Sequence, residues 1–145
     1  MYNILIVNGP NLNFLGKRDA AMYGNDTWED IQQRLSQECS SLGVQPQFYQ
    51  SNHEGDLVDF IQSNHGKIDG IAINAGALTH YGYSLKDALI DSNVPIVEVH
   101  MSNPYGREEW RRHSVLGDIV QGIITGFGWT SYMLAIKGLL NGCNE

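Results

Sequence analysis

Glu98 and His100 stand two residues apart near the end of an apolar segment, and side chains of these types can move a proton. If the segment is a strand, both side chains lie on one face, because successive residues point to opposite faces. A carboxylate beside an imidazole orients the ring and favours its protonated form. The pair therefore suits a general acid, although a structural ion pair would have the same spacing.

Arg18 and Tyr23 form a second pair, five residues apart in the long segment that follows the first apolar run. A guanidinium close to a phenol stabilises the phenolate, which can act as a base near neutral pH. An ordinary surface tyrosine would fit the same spacing. The sequence thus offers one candidate base and one candidate acid.

Three arginines follow soon after the Glu98–His100 pair and make up a third of the nine basic residues. Such a cluster usually lies on a solvated helix face, but its position just after His100 and Ser102 favours an anion-binding role. The arginines are Arg107, Arg111 and Arg112. His80 follows another apolar run, and it either caps the next helix or joins the same site.

These residues require a scaffold, and apolar runs alternate with helix-like segments along the chain. Short, nearly continuous apolar runs are typical of strands buried on both faces of a parallel sheet. Between them lie helices, one of which Thr27 can begin and Gly43 can end. The predicted strands span residues 3–8, 44–49, 68–74, 95–100 and 119–125.

This alternation predicts one α/β domain over residues 1–145, with right-handed crossovers between parallel strands. We expect a flavodoxin-like fold, with a five-stranded sheet in the order 2-1-3-4-5 and helices on both faces. Ligands of open sheets bind beyond the carboxyl ends of the strands. Polar segments begin at Asn8, Asn74 and His100, and each alone would fit an ordinary turn. Together they predict a site at one mouth.

Composition excludes several classes of protein. The net charge of −7 argues against nonspecific nucleic-acid binding. No apolar run approaches the roughly 20 residues that a membrane-spanning helix needs. Cys39 and Cys143 form neither a disulfide framework nor a zinc motif, so we expect a reduced, cytoplasmic protein.

Motifs over nearly the whole chain resemble those of the type II 3-dehydroquinate dehydratases. They occur in the order that this family shows, and the length is also similar. The matching blocks are NGPNLN at 8–13, Leu15-Gly16 with Arg18, Tyr23-Gly24, QSN at 50–52, Glu54-Gly55, Thr79-His80, EVHMSN at 98–103, REEWR at 107–111 and YMLAI at 132–136.

The resemblance implies a hydro-lyase that removes water from 3-dehydroquinate through an enolate, without a Schiff base, cofactor or metal. It assigns the base to Tyr23, activated by Arg18, and the acid to His100, paired with Glu98. It places a water that stabilises the enolate near Asn11. The substrate-binding positions that it implies are Asn74, His80, Asp87, Met101, Ser102 and Arg111.

The resemblance also implies a homo-oligomer, a dodecamer built from trimers, in which Asp87 reaches the site of a neighbouring subunit. Both aromatic biosynthesis and quinate catabolism use this reaction, and the sequence does not distinguish them. Three positions depart from the family. Ala20 replaces a frequent proline, Gly82 a usual serine, and Trp110 a common phenylalanine. We expect a looser active-site lid at Ala20 and a weaker cap on the third of the main helices at Gly82.

Other classes of protein fit less well. A receiver domain needs acidic residues at the end of the first strand, where Asn8 and Asn11 are neutral. The segment 9–16 has no Ser or Thr for a flavodoxin phosphate loop. A metallohydrolase built on His80, Glu98 and His100 lacks a recognised ligand spacing. The presence of Tyr23, Arg18 and His100 argues against an inactive structural relative, which would not need a base and an acid.

Overall fold

Five parallel strands form the centre of the protein. We describe residues 1–143 of a computed structural model, so residues 144–145 of the predicted domain lie outside the described part, as does the side chain of Cys143. The strands are β1 Tyr2–Asn8, β2 Val44–Gln50, β3 Gly70–Asn74, β4 Ile96–His100 and β5 Gly122–Thr125. The sheet has the order β2-β1-β3-β4-β5, which confirms the predicted flavodoxin-like fold class.

Helices cover both faces of the sheet, as predicted. They are α1 Ala20–Tyr23, α2 Trp28–Leu42, α3 Glu54–Ser63, α4 Tyr83–Asp91 and α5 Thr130–Cys143. Along β1, Ile4 and Ile6 pack in one core with α2 and α5, whereas Leu5 and Val7 pack in the other with α3 and α4. This division follows from the alternation of side chains along a strand. Within residues 1–143, none of the helices is long and apolar enough to cross a lipid bilayer.

Three strands begin later than the apolar pattern predicts. β3 starts at Gly70 rather than Ile68, β4 at Ile96 rather than Pro95, and β5 at Gly122 rather than Ile119. The N–H of Ile119 is used in a turn, where it donates to the carbonyl of Leu116 at 3.0 Å. Apolar residues in a turn that packs against the core look like strand residues in the sequence.

The ends of α2 and α4 are formed in different ways. α2 begins with a capping box between Thr27 and Asp30 and ends at Gly43 in the left-handed conformation, as predicted. The Gly82 cap of α4 provides no side-chain hydrogen bond. Glu54 Oε2 instead accepts from the Leu85 N–H at 3.0 Å, so a carboxylate at the start of α3 caps α4.

Candidate active site

A cavity of about 130 Å³ opens at the carboxyl ends of β1, β3 and β4. It lies where the strand order reverses, which is the position expected for a ligand site in this fold. Glu98 lies behind His100 rather than in the lining, and Asp87 is exposed on α4. The nine other predicted site residues line the cavity: Asn11, Arg18, Tyr23, Asn74, His80, His100, Met101, Ser102 and Arg111.

Two glycines bring the loops after β1 and β3 into backbone contact beside this cavity. A Cβ at Gly9 would lie 2.2 Å from the carbonyl oxygen of Ala75. Gly76 has a φ of 60°, and its Cβ would lie 2.9 Å from the carbonyl oxygen of Pro10. Side chains at these positions would force the loops apart. The sequence shows that glycines stand at these positions, but not which backbone segments they allow to approach each other.

Arg18 and Tyr23 are in direct contact on the side of the cavity formed by α1. Arg18 Nη2 donates to Tyr23 Oη at 3.0 Å, and the guanidinium carbon lies 3.9 Å from the centre of the phenol ring. Asp19 caps α1 by accepting from the N–H of Ala21 at 3.0 Å, so the short helix orients the tyrosine. A cation that donates to a phenol oxygen stabilises the phenolate.

Glu98 and His100 lie on the same face of β4, as strand alternation predicts. His100 Nε2 lies 3.1 Å from Glu98 Oε2, and Glu98 is only 2% exposed. The second carboxylate oxygen accepts a hydrogen bond from Ser114 Oγ. A buried carboxylate needs such partners, because an unpaired charge in the interior costs several kcal/mol.

His80 faces the cavity at the end of a 3-10 helix, Gly76–His80, and does not cap α4. Its Nδ1 lies 2.6 Å from the carbonyl oxygen of His113. Since a carbonyl can only accept, Nδ1 carries a proton, and Nε2 is the nitrogen that remains for a ligand. The edge of the ring meets Trp110, with 5.0 Å between ring centres.

Asn74 belongs to a buried hydrogen-bond chain that the sequence did not predict. Its Nδ2 donates to Tyr132 Oη at 2.9 Å, and Tyr132 in turn donates to Asn8 Oδ1 at 2.8 Å. Asn74 Oδ1 accepts from the N–H of Gly76 at 3.3 Å. Burial raises the pKa of Tyr132 far above its usual value, so the hydroxyl keeps the proton that this chain requires. One Asn74 N–H is left for a ligand.

The three arginines of the predicted anion-binding cluster separate in space. Arg107 and Arg111 line the cavity, whereas Arg112 is exposed and outside it. Arg107 Nη1 donates to Ser102 Oγ at 3.2 Å. Arg111 Nε pairs with Glu108, and this hydrogen bond lowers the pKa of the Glu108 carboxyl. Two guanidinium groups therefore give the cavity a positive wall.

Several other residues that line the cavity were not predicted from the sequence. They follow the ends of β1, β3 and β4, so their position in the loops was the available signal. They are Pro10, Leu12, Gly76, Ala77 and Pro104. Among residues 1–143, no group of three or more His, Cys, Asp or Glu side chains could hold a metal ion.

The chain is similar to known proteins of one family. Residues 2–140 match the family described as Dehydroquinase class II. A 3-dehydroquinate dehydratase from Bacillus licheniformis is 48% identical over 145 residues, 100% of both chains. Another from Prochlorococcus marinus subsp. pastoris is 51% identical over 138 residues, which are 95% of this chain and 94% of that relative.

Solved structures agree with these similarities. The type II dehydroquinase from Butyrivibrio crossotus superposes with a TM-score of 0.93 at 44% identity and covers 96% of this chain and 97% of its own. A 3-dehydroquinate dehydratase-like protein from Bifidobacterium longum superposes with a TM-score of 0.74 at 26% identity and covers 100% of both chains.

Proposed function

The chain belongs to the class II dehydroquinase family, and from this premise we propose that it is a hydro-lyase that converts 3-dehydroquinate to 3-dehydroshikimate. The family resemblance seen in the sequence motifs is thereby confirmed. The reaction eliminates a hydroxyl group β to a ketone. It requires a base that removes the α-proton and an acid that protonates the leaving hydroxyl.

Tyr23 is the proposed base. Its Oη accepts a hydrogen bond from Arg18 at 3.0 Å, and the cation favours the phenolate that can take a proton from carbon. Removal of the proton leaves its electron pair on the substrate as an enolate. This contact is the main support for the proposal, because Arg18 and Tyr23 lie in the cavity that His100 also lines.

His100 is the proposed acid, with Glu98 as its counter-charge. The carboxylate stabilises the imidazolium, and the ring gives a proton to the leaving hydroxyl, which departs as water. The enolate collapses to the conjugated ketone as the carbon–oxygen bond breaks. Acid and base are then each one proton away from their starting states, and exchange with solvent restores them.

Asn11 is proposed to hold the water that hydrogen-bonds to the enolate oxygen. Its backbone is in the left-handed conformation, with φ 71°, and its N–H donates to Asn52 Oδ1 at 3.0 Å. These contacts keep Asn11 at the mouth of the cavity. A donor fixed near the developing charge stabilises the intermediate without reorganisation during the reaction.

The remaining lining residues are proposed to bind the ring hydroxyls and the carboxylate of the substrate. His80 Nε2 can accept from a hydroxyl, and Asn74 and Ser102 each keep one donor hydrogen. Arg111 keeps guanidinium N–H groups beyond its Glu108 contact for the carboxylate. Met101 is buried and gives the carbon ring of the substrate an apolar surface to pack against.

We also propose assembly into a dodecamer built from trimers, in which Asp87 reaches the cavity of a neighbouring subunit. In its own chain Asp87 is exposed and lies outside the cavity lining. Aromatic side chains close to His80 are more than half exposed, and subunit interfaces commonly cover such residues: Tyr81, Tyr83 and Trp110. Light scattering should show a high-order oligomer, and a stable, fully active monomer would rule out a shared site.

The activity itself is tested by adding 3-dehydroquinate to the purified protein. The product has a conjugated carbon–carbon double bond, so ultraviolet absorbance should rise with time and in proportion to the protein concentration. The same measurement after treatment with a metal chelator should give the same rate. No rise in absorbance with authentic substrate would refute the proposed function.

A further inference from the structure

Ser114 contacts Glu98 from the side opposite His100. Ser114 Oγ donates to Glu98 Oε1, while Glu98 Oε2 lies 3.1 Å from His100 Nε2. Each carboxylate oxygen therefore has its own protein partner. Because Glu98 is only 2% exposed, water does little to hold the group in place, and these partners fix its orientation.

A second contact fixes the direction of the Ser114 hydrogen bond. The N–H of Leu116 donates to Ser114 Oγ at 3.1 Å. An N–H can only donate, so the hydroxyl oxygen is the acceptor in this contact and its single proton remains for Glu98. A hydrogen bond donated to a carboxylate favours its ionised form.

The neighbours of Ser114 anchor this segment beside the cavity. The N–H of Val115 donates to the carbonyl of Thr79 at 2.8 Å, and the carbonyl of His113 accepts from His80 Nδ1. Residues 113–115 thus contact Thr79 and His80 directly and reach His100 through Glu98. One short loop segment is linked to both histidines of the cavity.

We propose that Ser114 is a positioning residue that holds the Glu98 carboxylate in the orientation in which it engages His100. The inference rests on the proposed function, since it concerns the residue assigned as the acid. Without the hydroxyl, the carboxylate loses one of its two partners and can turn away from the imidazole. Ser114 does not line the cavity, so it acts on the reaction and not on substrate binding.

The first test replaces Ser114 with Ala and with Thr. We expect Ser114→Ala to lower kcat roughly 10- to 100-fold, the loss associated with a hydrogen bond to a charged group, with KM changed less than about twofold. Ser114→Thr keeps the hydroxyl and should restore most of kcat. The matched control is Ser92→Ala, which deletes a buried hydroxyl that donates to the carbonyl of Leu89 at 2.6 Å, away from the cavity. The control should leave kcat unchanged.

A double-mutant cycle separates this role from a purely structural one. If Ser114 acts through Glu98, then Ser114→Ala in a Glu98→Gln background should change kcat less than about twofold. A structural role would give the full loss in both backgrounds. If Ser114→Ala does not fold, Ser114→Cys retains a similar shape with a weaker donor and should lose kcat in the same way but less.

The outcomes are distinguishable from failure of the proposed function. An unaltered protein that turns over substrate, with Ser114→Ala or Ser114→Cys at the same kcat, would overturn this inference alone. Equal losses in the two Glu98 backgrounds, or no rescue by Thr, would overturn it as well. Absence of turnover in the unaltered protein would overturn both.

Discussion

Tyr132 links Asn74, which lines the cavity, to Asn8 at the end of β1. Loss of its hydroxyl should weaken both folding and substrate binding. The side chain is fully buried and joins Asn74 Nδ2 to Asn8 Oδ1. Tyr132→Phe keeps the ring and removes only the oxygen. Asn8 then keeps no side-chain hydrogen bond within residues 1–143, because its Nδ2 already lacks a partner there.

The size of the effect follows from the two groups left unpaired. A buried donor or acceptor without a partner costs about 1–3 kcal/mol. Asn8 is fully buried and should lose this in full, while Asn74 borders the cavity and is partly compensated by solvent. We therefore expect the free energy of unfolding to fall by about 2–4 kcal/mol. KM should also rise, because the Asn74 side chain then keeps only its contact with the Gly76 N–H.

Urea unfolding at one fixed protein concentration measures the first effect, since the proposed assembly would make apparent stability concentration-dependent. Tyr49→Phe is the matched control, because its ring stacks on Phe60 at 4.2 Å and this packing needs no hydroxyl. A loss below about 0.5 kcal/mol in Tyr132→Phe, no larger than an ordinary surface change, would refute the assigned hydrogen-bond chain.

The strand order could be predicted because it depends on patterns that are local in the sequence. Apolar runs mark strands buried on both faces, and the crossover rule leaves few ways to order them. The position of the cavity follows from that order, since the residues after Asn8, Asn74 and His100 lie at the ends of adjacent strands. Thr27 and Gly43 mark the ends of α2 by their own side-chain and backbone chemistry.

The hydrogen bonds that hold the elements around the cavity in place could not be predicted, because they join distant parts of the chain. Tyr132 is 124 residues from Asn8, and in the sequence it is one more apolar side chain of α5. Glu54 caps α4 from 31 residues away. Neither partner leaves a periodic signal, since a single side-chain hydrogen bond repeats at no fixed spacing. The residues proposed for the chemistry can thus be found from motifs, while those that hold them in place are found from coordinates.

Three further predictions concern the base, a buried thiol and the lysines. Tyr23→Phe should keep the fold and substrate binding but lower turnover by about 10²–10⁴-fold, and near-normal turnover would remove Tyr23 from the mechanism. Burial raises the pKa of Cys39 to about 11. In the unfolded chain a thiol ionises at about pH 8.5. Below that pH the thiol is neutral in both states, and its preference for the neutral form contributes fully to the stability of the folded state. As the pH rises from there towards 11, this contribution is lost. Urea unfolding should then show stability falling more steeply with pH than in Cys39→Ala, and equal slopes would contradict the assignment. The last prediction concerns a Schiff base, which needs a lysine amine at the substrate ketone. In the described part of the chain no lysine lines the cavity, Lys17 is exposed, and Lys86 is paired with Asp118. Borohydride added together with 3-dehydroquinate should therefore leave the protein active, with its mass unchanged. Borohydride without substrate is the control for nonspecific reduction. A substrate-dependent loss of activity, with a reduced adduct on a lysine, would replace the enolate route by an imine.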